Sequence, residues 1–520
     1  MYKSSVKYGI IRNMKHLLIA VAATCATLTG ATAASSDAVT QADLQALIQR
    51  LNKLEAENKA QAKRIAQLEG EKAQAGKPCA KSAAARPHDA GTTVSESGKV
   101  YTTASGSSYY LADATAGIFE PLSASGIKIT PYGTLELDAV YNSRGTVGDF
   151  STDWVADKTT AKRQGHNTSL AMQNSIFGVK LETPETWNGW KIGGKVEFDI
   201  FGKGDENDYG FHWRHAYMEA VHEDSGWSIL AGQTWHLWKI VTPSEIDGAW
   251  MEHTGHPYRR SPQFRLTKNF KGEKDNLEVR VGIVKGGPGM GGDRDNDEMQ
   301  DNSASAWALI EGALVYSREA SWAKGQEWLV GIGGMYGRDR SHRWTRYDEV
   351  EDRNYYDGQA DEYDSKMLLV GASLPIFSGL FNDSADDFDK LVLTGQFFAG
   401  DNLQGVQAGA GNSVAYHTPG ARGKTVQTMG GFLDLNYKLN YNWAFAVGYG
   451  FDNPDDDDVG KDAAGNGTGI TYNDRAYITA FYQVNDNLHF ALEYARLSTD
   501  YYNDGTSPDQ RVQFTTYFEF

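Results

Sequence analysis

The last ten residues, RVQFTTYFEF, alternate strictly. Val512, Phe514, Thr516, Phe518 and Phe520 fall on one face of an extended strand, and Arg511, Gln513, Thr515, Tyr517 and Glu519 fall on the other. One face suits hydrocarbon and the other suits water. As a soluble edge strand this segment would expose unpaired backbone and aromatic surface together, whereas a closed barrel in a membrane leaves no edge. The same two-residue period recurs upstream. Leu135, Leu137, Ala139 and Tyr141 alternate with Thr134, Glu136 and Asp138; Ile192, Val196, Phe198 and Ile200 alternate with Lys191, Lys195, Glu197 and Asp199; Leu277, Val279, Val281 and Ile283 alternate with Glu278 and Arg280. The pattern predicts an all-β transmembrane barrel of about 16 antiparallel strands, near 132–141, 170–182, 190–201, 211–221, 227–237, 262–268, 277–284, 304–316, 328–337, 365–374, 390–400, 426–437, 443–451, 473–483, 488–497 and 511–520. An even count returns both ends of the barrel to one side. The connections TPETWNG, HEDSG, KLNYN and VNDN are tight, whereas GGPGMGGDRDNDEMQDNS and DNPDDDDVGKDAAGNGTGI are long and acidic, which predicts short periplasmic turns and long outer loops.

Before residue 127 the period changes. Leu44, Leu47, Leu51, Leu54, Asn58, Gln61, Ile65 and Leu68 are spaced alternately three and four apart, the seam of a coiled coil, with Asn58 and Gln61 as polar interruptions that set register. An amphipathic helix lying on another surface would show the same spacing, and either arrangement needs a partner. Gly76 and Pro78 stop the helix, and the Ala-, Ser-, Thr- and Gly-rich stretch that follows reads as a linker. Lys3, Lys7, Arg12 and Lys15 precede the apolar run LLIAVAATCATL, and Ala31 to Ala33 form a small-residue cleavage site. The expected organisation is a signal peptide over 1–33, a periplasmic coiled coil over 34–74, a linker over 75–126 and a barrel over 127–520.

Composition narrows the class. Aromatic residues make up 12% of the chain and Gly is abundant at 56 against 13 Pro, a mixture that suits tyrosine- and glycine-bearing strands better than a helical enzyme. The formal charge of -17 argues against nucleic acid as a partner. Cys25 lies in the leader and only Cys79 follows it, so no disulfide scaffold is expected. After the leader no apolar run reaches the length of a membrane-spanning helix, which leaves strands to cross the bilayer.

Sixteen strands enclose a water-filled lumen. The segment from Trp238 to Ser261, third among the outer loops, is the candidate for an inward-folding constriction, carrying Glu245, Asp247 and Glu252. Inward cations around it by parity or position are Lys195, Arg214, Arg265 and Arg280, with Arg259 and Arg260 at the loop's end. Guanidinium groups grip carboxylate or phosphate by paired hydrogen bonds and stay charged when partly desolvated. A charged ring across a narrow pore selects by sign. The competing reading pairs these arginines with Glu197, Asp199 and Glu278, bracing the wall. Elsewhere, GARGKT at 420–425 has Thr418 where a phosphate-binding loop needs its first glycine, DRDND at 293–297 has Glu298 where a calcium loop needs glycine, and His212, His215, His253 and His256 lack ligand spacing. No cofactor, metal or catalytic constellation is expected.

The segments NSIFGVKLETPETWNGWKIGGKVEFDIFG, WRHAYMEA with WSILAGQTWHLW, GQFFAGDNL and NYNWAFAVGYGFDNP, in that order behind a coiled coil, resemble the DcaP-like trimeric outer-membrane porins of the general bacterial porin superfamily. The resemblance implies a homotrimer in the outer membrane of a Gram-negative-type cell, with periplasmic helices forming a three-stranded coil. It also implies passive transport of small organic anions such as dicarboxylates, and recognition of terminal Phe520 by the barrel-assembly machinery. Phosphate-selective and sugar-selective porins are alternatives, the latter needing an aromatic track where most aromatics here take the lipid face. A third possibility is an envelope tether anchored by a barrel. Truncation separates channel from tether: a chain lacking residues 34–126 is expected to conduct in planar bilayers, while a tether would lose its envelope phenotype.

Overall fold

The computed structural model describes residues 122–124, 127–148, 151–158, 165–183, 187–201, 210–286, 305–323, 325–348, 353–379, 388–459 and 468–520. The expected signal peptide, coiled coil and nearly all of the linker lie outside the described residues. The wall is a closed barrel of 16 antiparallel strands. In order they are β1 (Ile127–Asn142), β2 (Asn167–Ala171 continued by Ile176–Glu182), β3 (Trp190–Asp199), β4 (His212–His222), β5 (Trp227–Trp235), β6 (Arg260–Lys271), β7 (Asp275–Val284) and β8 (Ser305–Glu319). Then follow β9 (Glu327–Asp348), β10 (Arg353–Ser378), β11 (Lys390–Asp401), β12 (Gln427–Lys438), β13 (Trp443–Pro454), β14 (Ile470–Gln483), β15 (Leu488–Tyr501) and β16 (Gly505–Glu519). Leu122–Ala124 folds back on the start of β1 as a short hairpin arm.

The terminal alternation closes the wall. β16 pairs with β1 from Thr134 opposite Glu519 to Asn142 opposite Arg511. Beyond that register Gly133 and Phe520 exchange two backbone hydrogen bonds of 3.0 Å. Along β16 each odd residue from Arg511 to Glu519 is buried inside, while Val512, Phe514 and Phe518 stand exposed outside. The outer surface carries Leu137, Ile229, Val281, Ile332, Leu433, Val447, Ile478 and Leu492 in its middle. Trp187, Trp227, Trp322 and Tyr441 lie toward the short-turn end, and Phe211, Trp213, Trp307 and Tyr336 toward the other. An apolar band between aromatic girdles is the surface a bilayer requires of a barrel.

Two local features depart from the sequence expectation. Between β9 and β10, and between β15 and β16, the outer connections are short and the strands themselves run on; β9 and β10 reach 22 and 26 residues. The alternation of apolar residues stops at the bilayer edge, but ladder hydrogen bonds continue above it, braced by Arg338 to Asp364 at 3.0 Å and Arg340 to Glu362 at 3.2 Å. The second departure is the interior. Rather than water alone, it holds an apolar cluster that includes Leu237, Trp238, Ile240, Met251, Leu369, Phe398, Leu403 and Phe432. The glycines of β9 and β10 make room for it: a Cβ on Gly333 would sit 2.8 Å from the Trp238 Cβ, and one on Gly331 would sit 2.9 Å from the Ile240 Cδ1.

The lipid-facing assignment is testable at Leu433, which is 62% exposed in the middle of β12. Leu433→Arg is expected to destabilise the folded barrel by about 2–4 kcal/mol, read from denaturant-induced unfolding in lipid vesicles. An unchanged midpoint would place this face out of hydrocarbon.

Candidate functional site

The inner loop, residues 236–259, leaves β5, runs along the inside of the wall, and returns to β6. Carboxylates hold its first turn. Glu311 on β8 accepts from His236 Nδ1 at 2.5 Å, from the Leu237 backbone N–H at 2.9 Å and from Trp238 Nε1 at 3.1 Å. Arg280 on β7, itself paired with Glu278, donates to the carbonyls of Leu237 and Lys239. Further along, Asp434 on β12 accepts from Ser244, and Glu493 on β15 accepts from the Ile246 N–H at 3.0 Å. Glu245 and Asp247 face the wall, where Arg475 on β14 pairs with them at 2.8 and 3.0 Å and Arg511 on β16 lies 3.3 Å from Asp247. All four side chains are essentially sealed from solvent. Trp250 and Met251 then turn through left-handed backbone with φ of 45° and 57°. That turn persists because Glu245 accepts from the Met251 N–H and the Asp247 carbonyl accepts from the Trp250 N–H.

Because the inner loop is bound to the β7–β16 side, the two sides of the barrel differ. Inward side chains at mid-height on β7 to β16, including Arg280, Glu311, Asp434, Arg475, Glu493 and Gln513, are buried beneath it. On β1 to β4, Asp138, Glu197, Asp199, Arg214 and His215 are buried as well, while Tyr132, Glu136, Lys180, Lys195, Tyr217 and Glu219 are half-buried. The polar face left open is therefore that of the first strands.

A cationic cluster stands beside this open face. β4 carries a bulge, with Phe198 opposite Trp213 and Glu197 opposite His215, so Arg214 is the extra residue and both Arg214 and His215 turn inward. Arg214 pairs with Glu197 at 2.8 Å and Asp199 at 3.0 Å; Lys195 also pairs with Glu197, at 2.9 Å. Lys239 of the inner loop lies with its Nζ 3.8 Å from the centre of the Trp235 ring, and the Arg260 guanidinium lies 4.4 Å from the same centre. Trp250 and Tyr258 complete an aromatic floor, each 5.6 Å from the other by ring centre, and Arg214 sits over Trp250. Burial, then Arg260 and Arg214, drive the Lys239 ammonium well below its ordinary pKa. Glu136 and Asp138, joined through Asn174 Nδ2 at 3.4 and 3.3 Å, form an acidic counterpart on β1.

No protein-family model matches the chain, and no curated protein does. Among solved structures it is similar to the outer-membrane channel DcaP of Acinetobacter baumannii, at 17% identity and a TM-score of 0.57 over 77% of this chain and 100% of that one. The chain has the fold of a DcaP-like porin. An anion-selective porin from Comamonas acidovorans aligns at 13% identity and a TM-score of 0.46, over 76% of this chain and 100% of that one.

Within this porin fold the residues singled out from sequence separate into groups. Lys195, Arg214 and Arg260 gather in the cationic cluster. Arg265 and Arg280 lie in the wall at the root of the inner loop, Arg265 donating to the Trp235 carbonyl and to Gln263. Arg259 reaches the Gly405 carbonyl of the loop between β11 and β12. Glu245 and Asp247 belong to the buried anchor. Glu252 sits against Tyr258 and Asp153, and burial followed by the Asp153 charge pushes its carboxyl well above the usual range. Asp153 itself is raised by burial to about 7. Phe520 lies in the closing seam, its ring 6.4 Å from Phe177. The sequence reading missed Lys239, Arg475, Arg511 as an anchor, Glu311, Asp434 and Glu493. Alternation marks several of them as inward, but inward position does not distinguish a solvated group from one that grips a loop.

Arg475→Met removes the shared partner of Glu245 and Asp247. Leaving Glu245 buried without its cation, and Asp247 with Arg511 alone, is expected to cost about 3–5 kcal/mol at the anchor. The inner loop should detach and single-channel conductance should rise, whereas unchanged conductance would show that other contacts hold the loop.

Proposed function

We propose that this protein is a passive outer-membrane channel for small hydrophilic solutes, preferring organic anions such as dicarboxylates. The observation that carries the reading is the sidedness of the interior: the inner loop leaves open the face of β1 to β4, and Lys180, Lys195, Arg214 and Arg260 follow one another beside it. A cation row along a narrow, partly desolvated passage lowers the energy of an anion at each step without binding it irreversibly. Lys180 and Lys195 both lie over the Tyr132 ring, at 5.3 and 5.4 Å, which holds their ammonium groups toward the interior. Glu136 and Asp138 on β1, joined through Asn174, supply the opposite pole of a transverse field.

The arginine-lined constriction in this reading consists of Arg214 and Arg260, supported by Lys195. Arg265, Arg280, Arg259, Glu245, Asp247 and Glu252 act by fixing the loop that narrows the passage. A homotrimer accords with the barrel's size and with a periplasmic coil over 34–74 behind a signal peptide over 1–33 and a linker over 75–126. A diffusion channel needs no catalytic residue, and none is assigned.

Reversal potential in a salt gradient tests the preference. The wild type is expected to favour chloride over potassium, in three correlated conductance steps. Arg214→Ala and Arg260→Ala should each shift the reversal potential toward cations, while Arg280→Ala should mainly raise conductance by loosening the inner loop. Cation preference in the wild type would overturn the anion mechanism.

A further inference from the structure

We propose that residues 402–426, the connection between β11 and β12, form a second size-limiting element of the channel, a strap drawn across the outer mouth, and that Asp452 pins it inside the barrel. The inference rests on the channel reading for what the strap limits; the pinning is argued from the strap's own contacts.

A connection between strands ordinarily runs over the surface, where water satisfies its backbone. This one turns inward. Every residue from Ala408 to Tyr416 is buried. Leu403, Val406 and Ala408 belong to the same interior apolar cluster as Met251 of the inner loop and Phe398 and Phe432 of the wall. At one end, Asn402 Nδ2 donates to Asp339 on β9 at 3.2 Å, and the Ser365 hydroxyl on β10 donates to the Asn402 carbonyl at 3.0 Å. Further along, Asn412 Nδ2 donates to the Ile470 carbonyl on β14 at 2.9 Å. The strap thus crosses from β9 and β10 to β14. Beneath it, the His253 N–H donates to the Gln407 carbonyl at 3.1 Å, and Arg259 donates to that of Gly405. Inner loop and strap lie one against the other, so this part of the lumen is filled at two levels.

Asp452 on β13 holds the middle. Gly409, Ala410 and Gly411 turn through left-handed backbone, with φ of 78°, 48° and 78°. At Ala410 that conformation is strained and persists only where the surroundings fix it. The turn aims the Gly409 and Ala410 N–H groups at one Asp452 carboxylate oxygen, at 2.7 and 3.3 Å. Successive backbone N–H groups converging on an anion form a nest. Asp452 is 0% exposed and has no ion-pair partner among the described residues, so the nest stands in for water around its charge. The dependence is mutual. A buried carboxylate is costly unless hydrogen-bonded, and without it the strained turn would hold two unmatched donors. Residues 402–416 contain no charged side chain. The strap therefore narrows the mouth by bulk and leaves discrimination by sign to the cations below it.

The test uses the full-length protein with Cys79→Ser as background and reads the pin and the filter separately. For the pin, Ala408→Cys, at a position 0% exposed, is expected to resist a membrane-impermeant maleimide. Adding Asp452→Ala should speed its labelling by about tenfold or more, the effect of losing a charge-assisted hydrogen bond. Asp452→Asn, which keeps an acceptor oxygen without the charge, should fall between. For the filter, proteoliposome swelling is measured in glucose, sucrose and raffinose. Asp452→Ala should raise the raffinose-to-glucose rate ratio while the reversal potential in a salt gradient stays unchanged, because Lys195, Arg214 and Arg260 are untouched. A general loss of packing would move both readings. Labelling as slow in Asp452→Ala as in the parent would overturn the pin, and fast labelling with an unchanged sugar ratio would overturn the filter. A wild type that passes neither ions nor sugars would sink the channel reading and the filter with it, whereas a conducting pore with an unchanged ratio sinks the filter alone. Should Asp452→Ala fail to fold, Asn412→Ala, which cuts the strap from β14, lets the same two measurements decide.

Discussion

Everything in this molecule depends on the seam between β16 and β1. Inside hydrocarbon no water is available to satisfy a backbone N–H or C=O, so an open sheet edge is not tolerated and the sheet must meet itself. The pairing from Thr134 and Glu519 to Asn142 and Arg511 completes that circuit, and the Gly133–Phe520 bonds extend it to the last residue. Gly133 is the residue that permits the end to close: a Cβ there would lie 2.6 Å from the Phe520 ring. Closure also sets the sidedness of every strand, because a one-residue slip at the seam would exchange Phe514 and Phe518 for Gln513 and Tyr517 on the lipid face.

Closure creates a second problem, which the inner loop solves. A barrel of this size points a polar residue inward at every other position, and those groups must find water or one another. The inner loop brings backbone donors and carbonyls to meet them. Glu311, Asp434 and Glu493 accept from its backbone or hydroxyls, and Arg475 and Arg511 receive its two acidic side chains. Apolar residues of the loop meanwhile bury against the glycine-rich inner surface of β9 and β10. The outcome is a lopsided interior, packed on one side and partly open along β1 to β4.

That asymmetry gives the charges their meaning. On the packed side acids and arginines neutralise each other, so their burial costs little beyond desolvation. Beside the open side the pairing is incomplete: Arg214 has both its acids, while Lys239 and Arg260 lie over the Trp235 ring with no ion-pair partner among the described residues. The bulge in β4 is part of this arrangement, since without it Arg214 would take the alternating position that faces lipid.

The alternation of side chains determined most of the strands and the lipid face, because a strand's period of two is local and hydrocarbon penalises any exception, while the exact number of strands was set by closure of the barrel. It also marked Lys195, Arg265 and Arg280 as inward, and length and position marked the inner loop. What alternation could not reveal was which inward groups meet. Glu245 and Asp247 look like pore-lining acids until Arg475 and Arg511, 230 and 264 residues further along, are seen to cover them. Lys239 sits in a stretch with no period at all, and its place over Trp235 follows from the path of the loop. Nor does parity survive a bulge, as Arg214 shows. Strand identity is written in neighbouring residues, whereas the pairing of charges is a matter of distance across a closed interior, and only the tertiary structure sets those distances.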